Sequence, residues 1–266
     1  MRGRLLTVAY DGTRFCGFQF QTNGLSVQEV LESTLGGVEK RPVRVKGASR
    51  TDAGVHALGQ RVFYVSANEL PDEAYLKGCN SLLPPDVAVR AVTRVPEDFN
   101  PRLTAGKIYR YRIRRAPVRD PLRVNSQWTV YRPLDTGAMR EAASILLGTH
   151  DFSAFQAADC GRENAVRTVL RLELEQRGPR LDLIVAGTAF LKNMVRIIAG
   201  TLVEVGTGRF SPADVSAILR SRDRTRAGMT APAAGLCLMN VFYPGDPGGG
   251  CLREGSWPAW EEDDER

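Results

Sequence analysis

The sequence predicts an α+β fold whose elements follow the split order β-α-β-β-α-β. Three observations carry that prediction. Short runs of alternating or β-branched residues recur along the chain. Between them stand segments with apolar residues at helical spacing, opened by Ser, Pro or Asp. No apolar run approaches the ~20 residues required to span a bilayer. With 266 residues, 43% of them hydrophobic, the chain can fill one large core or two smaller ones.

Leu5 to Tyr10 reads as the first strand, because its apolar run is too short and too soon broken by Asp11-Gly12 to be the core of a signal peptide. Ser26, followed three residues later by Glu29, forms a capping box, and Val30, Leu31 and Leu35 then supply a helical stripe. Val43 to Lys46 alternates apolar and charged as a second strand, and Gln60 to Val65 makes a third. A helix starts near Pro71-Asp72-Glu73, and the strand Val87 to Val92 completes the first split unit. The second half repeats the order without evident identity to the first. It offers the strand Lys107 to Arg114, a helix near Asp135 to Leu147, strands near Val169 to Gln176 and Leu181 to Ala186, a long helix near Ala189 to Val203, a short helix opened by Ser211-Pro212, and a closing strand near Leu236 to Tyr243. The expected division is 1–104, 105–243 and, from the glycine-rich stretch after Pro244 onward, a flexible tail 244–266.

Lys and Arg number 36 against 30 acids, and the acidic last residues Glu261 to Arg266 conceal part of the body's positive charge. A basic body suits an anionic partner such as RNA. The five cysteines are scattered and odd in number, with no Cys-x-x-Cys spacing, which argues against a disulfide framework or a zinc site. Reduced thiols in a cytoplasmic protein are the expectation. The two histidines, His56 and His150, speak against a histidine metal centre or a Ser-His-Asp triad, and both read as structural.

The residue that needs a reason is Asp52. Gly47-Ala48-Ser49-Arg50-Thr51-Asp52-Ala53-Gly54-Val55-His56-Ala57 lies on a strand-to-strand connection, where a rigid sheet can present chemistry. A turn alone would explain Thr, Asp and Gly. The run is longer than a turn needs, and the adjacent Arg50 is expected to keep Asp52 ionised. In Lys107 to Arg114, alternation sets Tyr109, Tyr111 and Ile113 on one face and Arg110, Arg112 and Arg114 on the other. From pattern alone both tyrosines are half-buried sheet residues. On the long helix, spacing groups Lys192, Asn193, Arg196 and Gly200 on a polar face.

Ser49 to Ala57 closely resembles the signature loop of the tRNA pseudouridine synthase A family. The resemblance extends, in the family's order, through Tyr10-Asp11-Gly12-Thr13, Phe18-Gln19, Ser26-Val27-Gln28-Glu29, Asn80 to Pro84, Asp98 to Arg102, Lys107 to Tyr111, Gly148 to Phe152, Ala189 to Arg196 and Ala234-Gly235-Leu236. Two departures stand out: Ser49 where some relatives have Gly, and Gly47 where some have Cys.

The resemblance implies two ferredoxin-like halves sharing a mixed, mainly antiparallel sheet, with helices on one side and a central RNA-binding cleft. It implies that uridine is isomerised to pseudouridine at positions 38, 39 and 40 of the tRNA anticodon stem-loop, without cofactor or metal. It makes Asp52 the catalytic nucleophile, Tyr109 the active-site tyrosine near the target uracil, Arg196 the basic partner of Asp52, and Arg50 the arginine that enters the RNA stem where the displaced base had been. Tyr111 stays structural. A homodimer is also implied. The competing expectation is a non-catalytic RNA-binding protein with ferredoxin-like domains, which leaves Asp52 without a purpose. An aspartate-nucleophile phosphohydrolase lacks a second nearby acid for Mg²⁺ and a phosphate-cradling loop.

Overall fold

Two six-element runs, each strand-helix-strand-strand-helix-strand with small additions, are laid edge to edge in one sheet of ten strands. The computed structural model describes residues 2–161, 164–246 and Leu252. Most of the expected tail therefore lies outside the described residues.

The first run is β1 (Gly3–Tyr10), α1 (Val27–Glu39), β2 (Lys46–Gly47), β3 (His56–Val65), α2 (Asp72–Leu82) and β4 (Val87–Val95). The second is β5 (Gly106–Arg115), β6 (Trp128–Val130), α3 (Thr136–Ile145), β7 (Gly148–Asp151), β8 (Val166–Arg177), β9 (Arg180–Gly187), α4 (Met194–Gly206), α5 (Pro212–Ser221) and β10 (Leu236–Phe242). The sheet runs β4-β1-β3-β10-β5-β9-β8-β7, with β2 added to β3 and β6 to β5. Leaving out β6 and β7, each half has the spatial order fourth-first-third-second, the split β-α-β arrangement expected from the sequence. Most pairings are antiparallel; β10 to β3 and β5 to β6 are parallel.

Period-two alternation sorts the central strands between two apolar clusters. Tyr109, Tyr111 and Ile113 of β5, Leu183 and Val185 of β9 and Leu238 of β10 join the buried faces of all five helices in one large core. Ile108, Ile184, Ala186, Cys237 and Met239 point to the other face, where a small cluster includes Leu252. The helices thus cover one side. Among the described residues no helix is long and apolar enough to cross a membrane.

Three local expectations are corrected. The strand expected over Val43 to Lys46 shrinks to β2, because the Val45 amide donates to the Glu32 carboxylate of α1 at 3.1 Å instead of to a ladder. At α1, Ser26 Oγ accepts from the Glu29 amide at 3.2 Å; the reciprocal capping box forms at α5 between Ser211 and Asp214. The helix expected from Ala189 begins only at Met194, since Asn193 takes a left-handed backbone with φ 61° and ends the preceding loop. Lys192 and Asn193 therefore precede α4. Gly200 faces no solvent, for a Cβ there would meet the Met229 carbonyl oxygen at 1.9 Å.

Candidate active site

Strand β3 changes partner along its length, and the Asp52 loop leaves the sheet at that change. Its C-terminal part pairs with β2 at Phe63 and Val62, and the Ala48 amide continues the ladder to the Arg61 carbonyl at 2.8 Å. Its N-terminal end pairs instead with β10, at His56 and Ala57. Between them the fully buried Gln60 takes over: its amide accepts from the Ser49 N–H at 3.2 Å and donates to the Ser49 carbonyl at 2.8 Å. One side chain thus satisfies both backbone groups that β2 would have paired.

The loop is then clamped from outside. Tyr10 and Thr51 share a hydrogen bond of 2.8 Å between hydroxyls. The Phe18 amide donates to the Thr51 carbonyl at 3.1 Å, and Gly54, at φ 76°, donates to the Phe15 carbonyl at 3.3 Å. Glycine is needed at 12 because a Cβ there would stand 2.1 Å from the Val55 carbonyl oxygen. His56 Nδ1 accepts from the Gly12 amide at 3.1 Å, a structural task. His150 contacts the Leu147 carbonyl at 2.7 Å and is structural too. At Gly47, the space a larger residue would need is filled by the Phe18 ring, 2.3 Å from where a Cβ would lie.

Asp52 emerges from this clamp with its side chain 31% exposed, 3.7 Å from Arg196 Nη1 in the first turn of α4. The arginine is fixed by its own bonds, donating Nε to the Ala231 carbonyl at 2.8 Å and Nη1 to Asn193 Oδ1 at 2.9 Å. Burial raises the Asp52 carboxyl above the ordinary aspartate range; Arg196 and Lys192 oppose that rise, and Asp159 adds to it. Lys192 is in turn paired with Asp159 at 2.5 Å. Among the described residues the cation within ion-pair distance of Asp52 is Arg196, with Lys192 acting from farther off. Arg50, expected to hold Asp52 ionised, is exposed and makes no ion pair among the described residues, since its side chain leaves the loop toward solvent.

Tyr109 lies beside this acid at 6% exposure, with its hydroxyl 2.9 Å from Ser49 Oγ and its ring edge-on to Phe190 at 5.1 Å between centroids. Burial, with the nearby Asp52 charge adding to it, pushes its hydroxyl up to about 12, so the phenol stays protonated. Tyr111 instead donates to the Pro232 carbonyl at 2.8 Å and packs on Trp128. On the other face of β5, Arg112 pairs with Asp182. A cavity lined by Arg110, Arg112 and His56 opens on that face and does not include Asp52.

The structure thus brings Asp52, Arg196 and Tyr109 together and leaves Arg50 at the rim. Sequence reasoning missed Gln60, Ser49, Lys107, Phe190 and the Lys192–Asp159 pair as parts of the site. For Lys107 a signal existed, since alternation puts it on the face of Tyr109. For Gln60 and Asp159 none did.

A family profile described as tRNA pseudouridine synthase matches residues 6–102 and 142–244. The tRNA pseudouridine synthase A of Myxococcus xanthus is 52% identical over 244 residues, covering 91% of this chain and 92% of that protein. Those of Geobacter sp. strain M21 and Pelobacter propionicus are each 46% identical, covering 92% and 91% of this chain and 100% of their own lengths.

Proposed function

The chain belongs to the tRNA pseudouridine synthase family and isomerises uridine to pseudouridine in tRNA; from that premise we propose that Asp52 is its catalytic nucleophile and that its targets are uridines 38, 39 and 40 of the anticodon stem-loop. The supporting observation is the Asp52–Arg196 approach of 3.7 Å, which joins a loop of the first half to a helix of the second in a place open to solvent. The halves divide between residues 104 and 105.

The reaction breaks the N-glycosidic bond, turns the bound uracil, and joins its C5 to the ribose C1′; the C5 proton is lost and N1 gains one. Ionised Asp52 attacks C1′ or C6, or assists loss of a C2′ proton on a glycal route. No redox step is involved. Arg196 holds the carboxylate and favours its charged form, a task suited to a guanidinium with several donors. Because the reacting atoms are covered in a stacked helix, the nucleotide must be flipped out at a cost of a few kcal/mol. Arg50, exposed at the rim, fills the vacated stem, and Tyr109 meets the uracil.

Acting on three neighbouring positions requires recognition of backbone and shape, which a basic protein provides through phosphate contacts. The protein works as a homodimer in the cytoplasm, where tRNA is found and where the free thiols of Cys16, Cys79, Cys160 and Cys237 suit reducing conditions. Incubation with unmodified tRNA, followed by nucleotide-resolution mapping, gives pseudouridine at 38, 39 and 40; product elsewhere contradicts the assignment. Light scattering at working concentration reports a dimer or refutes it.

A further inference from the structure

Behind Tyr109 lies a chain of polar groups, Ser49 and Lys107, that the reaction as described does not use. Lys107 Nζ donates to the Ala48 carbonyl at 3.0 Å and stands 3.4 Å from Ser49 Oγ, which is itself 2.9 Å from the Tyr109 hydroxyl. An ammonium has protons to give and no lone pair to offer. Ser49 Oγ accepts from Lys107, and of the two groups within its reach only the Tyr109 oxygen has a lone pair for the serine proton, so Ser49 donates to Tyr109. The phenolic proton then has no place on the Ser49 side and turns toward the cleft. Phe190 holds the Tyr109 ring edge-on, so rotation about the C–O bond is the freedom left to the phenol. Ser49 and Tyr109 are 7% and 6% exposed, which keeps competing water away and strengthens each bond.

We propose that Lys107 and Ser49 are positioning residues: together they form a one-way donor chain that fixes Tyr109 as a hydrogen-bond donor toward an oxygen of the flipped uridine, a uracil carbonyl or a ribose oxygen. The inference rests on the reading that Tyr109 meets the target uridine, and goes beyond it by assigning the direction of the phenolic proton and the residues that set it. No proton is transferred along the chain; it selects one orientation ahead of binding, so that none has to be sought during the reaction.

The test is single-turnover pseudouridine formation on unmodified tRNA, with tRNA binding measured alongside, for Ser49→Ala, Lys107→Met, Tyr109→Phe and the double variant Ser49→Ala/Tyr109→Phe. Ser49→Ala only removes an oxygen and Lys107→Met keeps the length of the stem, so retained binding verifies the fold of each. Ser49→Ala and Lys107→Met each slow the step about tenfold, the worth of one oriented hydrogen bond. In the Tyr109→Phe background Ser49→Ala slows it no further, because the group it positions is gone. An impaired Tyr109→Phe with a fully active Ser49→Ala, or equal losses from Ser49→Ala in both backgrounds, overturns the donor chain alone. A fully active Tyr109→Phe overturns the placement of Tyr109 and the chain with it.

Discussion

The second strand of the first half, β2, has 2 residues, whereas its counterpart in the second half, β8, has 12. β8 follows β9 from Val169 opposite Gly187 to Arg177 opposite Arg180. β2 stops after Gly47, and the chain that would have prolonged it becomes the Asp52 loop. The edge of β3 left free is taken by β10, which knits the halves together at His56 and Ala57. A truncated strand thus does two things at once: it opens a gap at the seam and supplies the acid that stands in it. The complete strand shows what the same topology gives when nothing is withheld, a ladder along its length with one register shift between Val169 and Arg171.

Asp52→Asn should produce the largest break in this comparison. If the shortened strand exists to present a carboxylate, this variant loses roughly a thousandfold or more in turnover while still binding tRNA. Its stability should not fall. Burial raises the Asp52 carboxyl above its unfolded value, so the folded state loses stability as pH rises past the unfolded value, and the ionised form is a cost at neutral pH. Thermal melting at neutral pH should therefore place the variant level with wild type or above it, and a clear loss would assign Asp52 to structure.

Gln60→Leu tests the root of the loop. It strands the Ser49 N–H and C=O inside the protein, at a cost of about 2–4 kcal/mol by denaturant titration. The matching change at an exposed β8 position, Gln176→Leu, should cost less than about 0.5 kcal/mol. Equal costs would mean that the gap at β2 is not specially bridged.

Arg50→Ala gives the smallest effect. Stability stays within about 0.5 kcal/mol, as befits an exposed side chain that makes no ion pair among the described residues. Binding of tRNA weakens, and the slope of log affinity against log salt falls by about one if Arg50 meets a phosphate. An unchanged slope with slowed single-turnover formation would favour its insertion into the stem.

Much of this architecture was legible in local pattern. The split order, the Ser211 cap and the strand carrying Tyr109 depend on residues close in sequence, and period and capping report those well. The Asp52 loop is contiguous, so its residues announced themselves together. What escaped depends on partners far along the chain. Val43 to Lys46 alternates like a strand, yet a glutamate on α1 claims the Val45 amide. Ala189 to Asn193 has helical composition, yet Asn193 turns left-handed and its side chain braces Arg196. Arg50 stands two residues from Asp52 in sequence but is not its partner, because its side chain is exposed while Asp52 meets Arg196. The cation that faces the acid arrives from the other half of the sheet.

That last point is the core of the account, and the acid limb of the pH–rate profile tests it most directly. Arg196 opposes the burial that raises the Asp52 carboxyl. Removing its charge in Arg196→Gln should let that carboxyl rise further, so the limb of kcat/KM on which activity is lost at low pH moves to higher pH, with Arg50→Gln leaving it in place. A limb that stays put in Arg196→Gln, or moves only in Arg50→Gln, would contradict a site assembled across the seam.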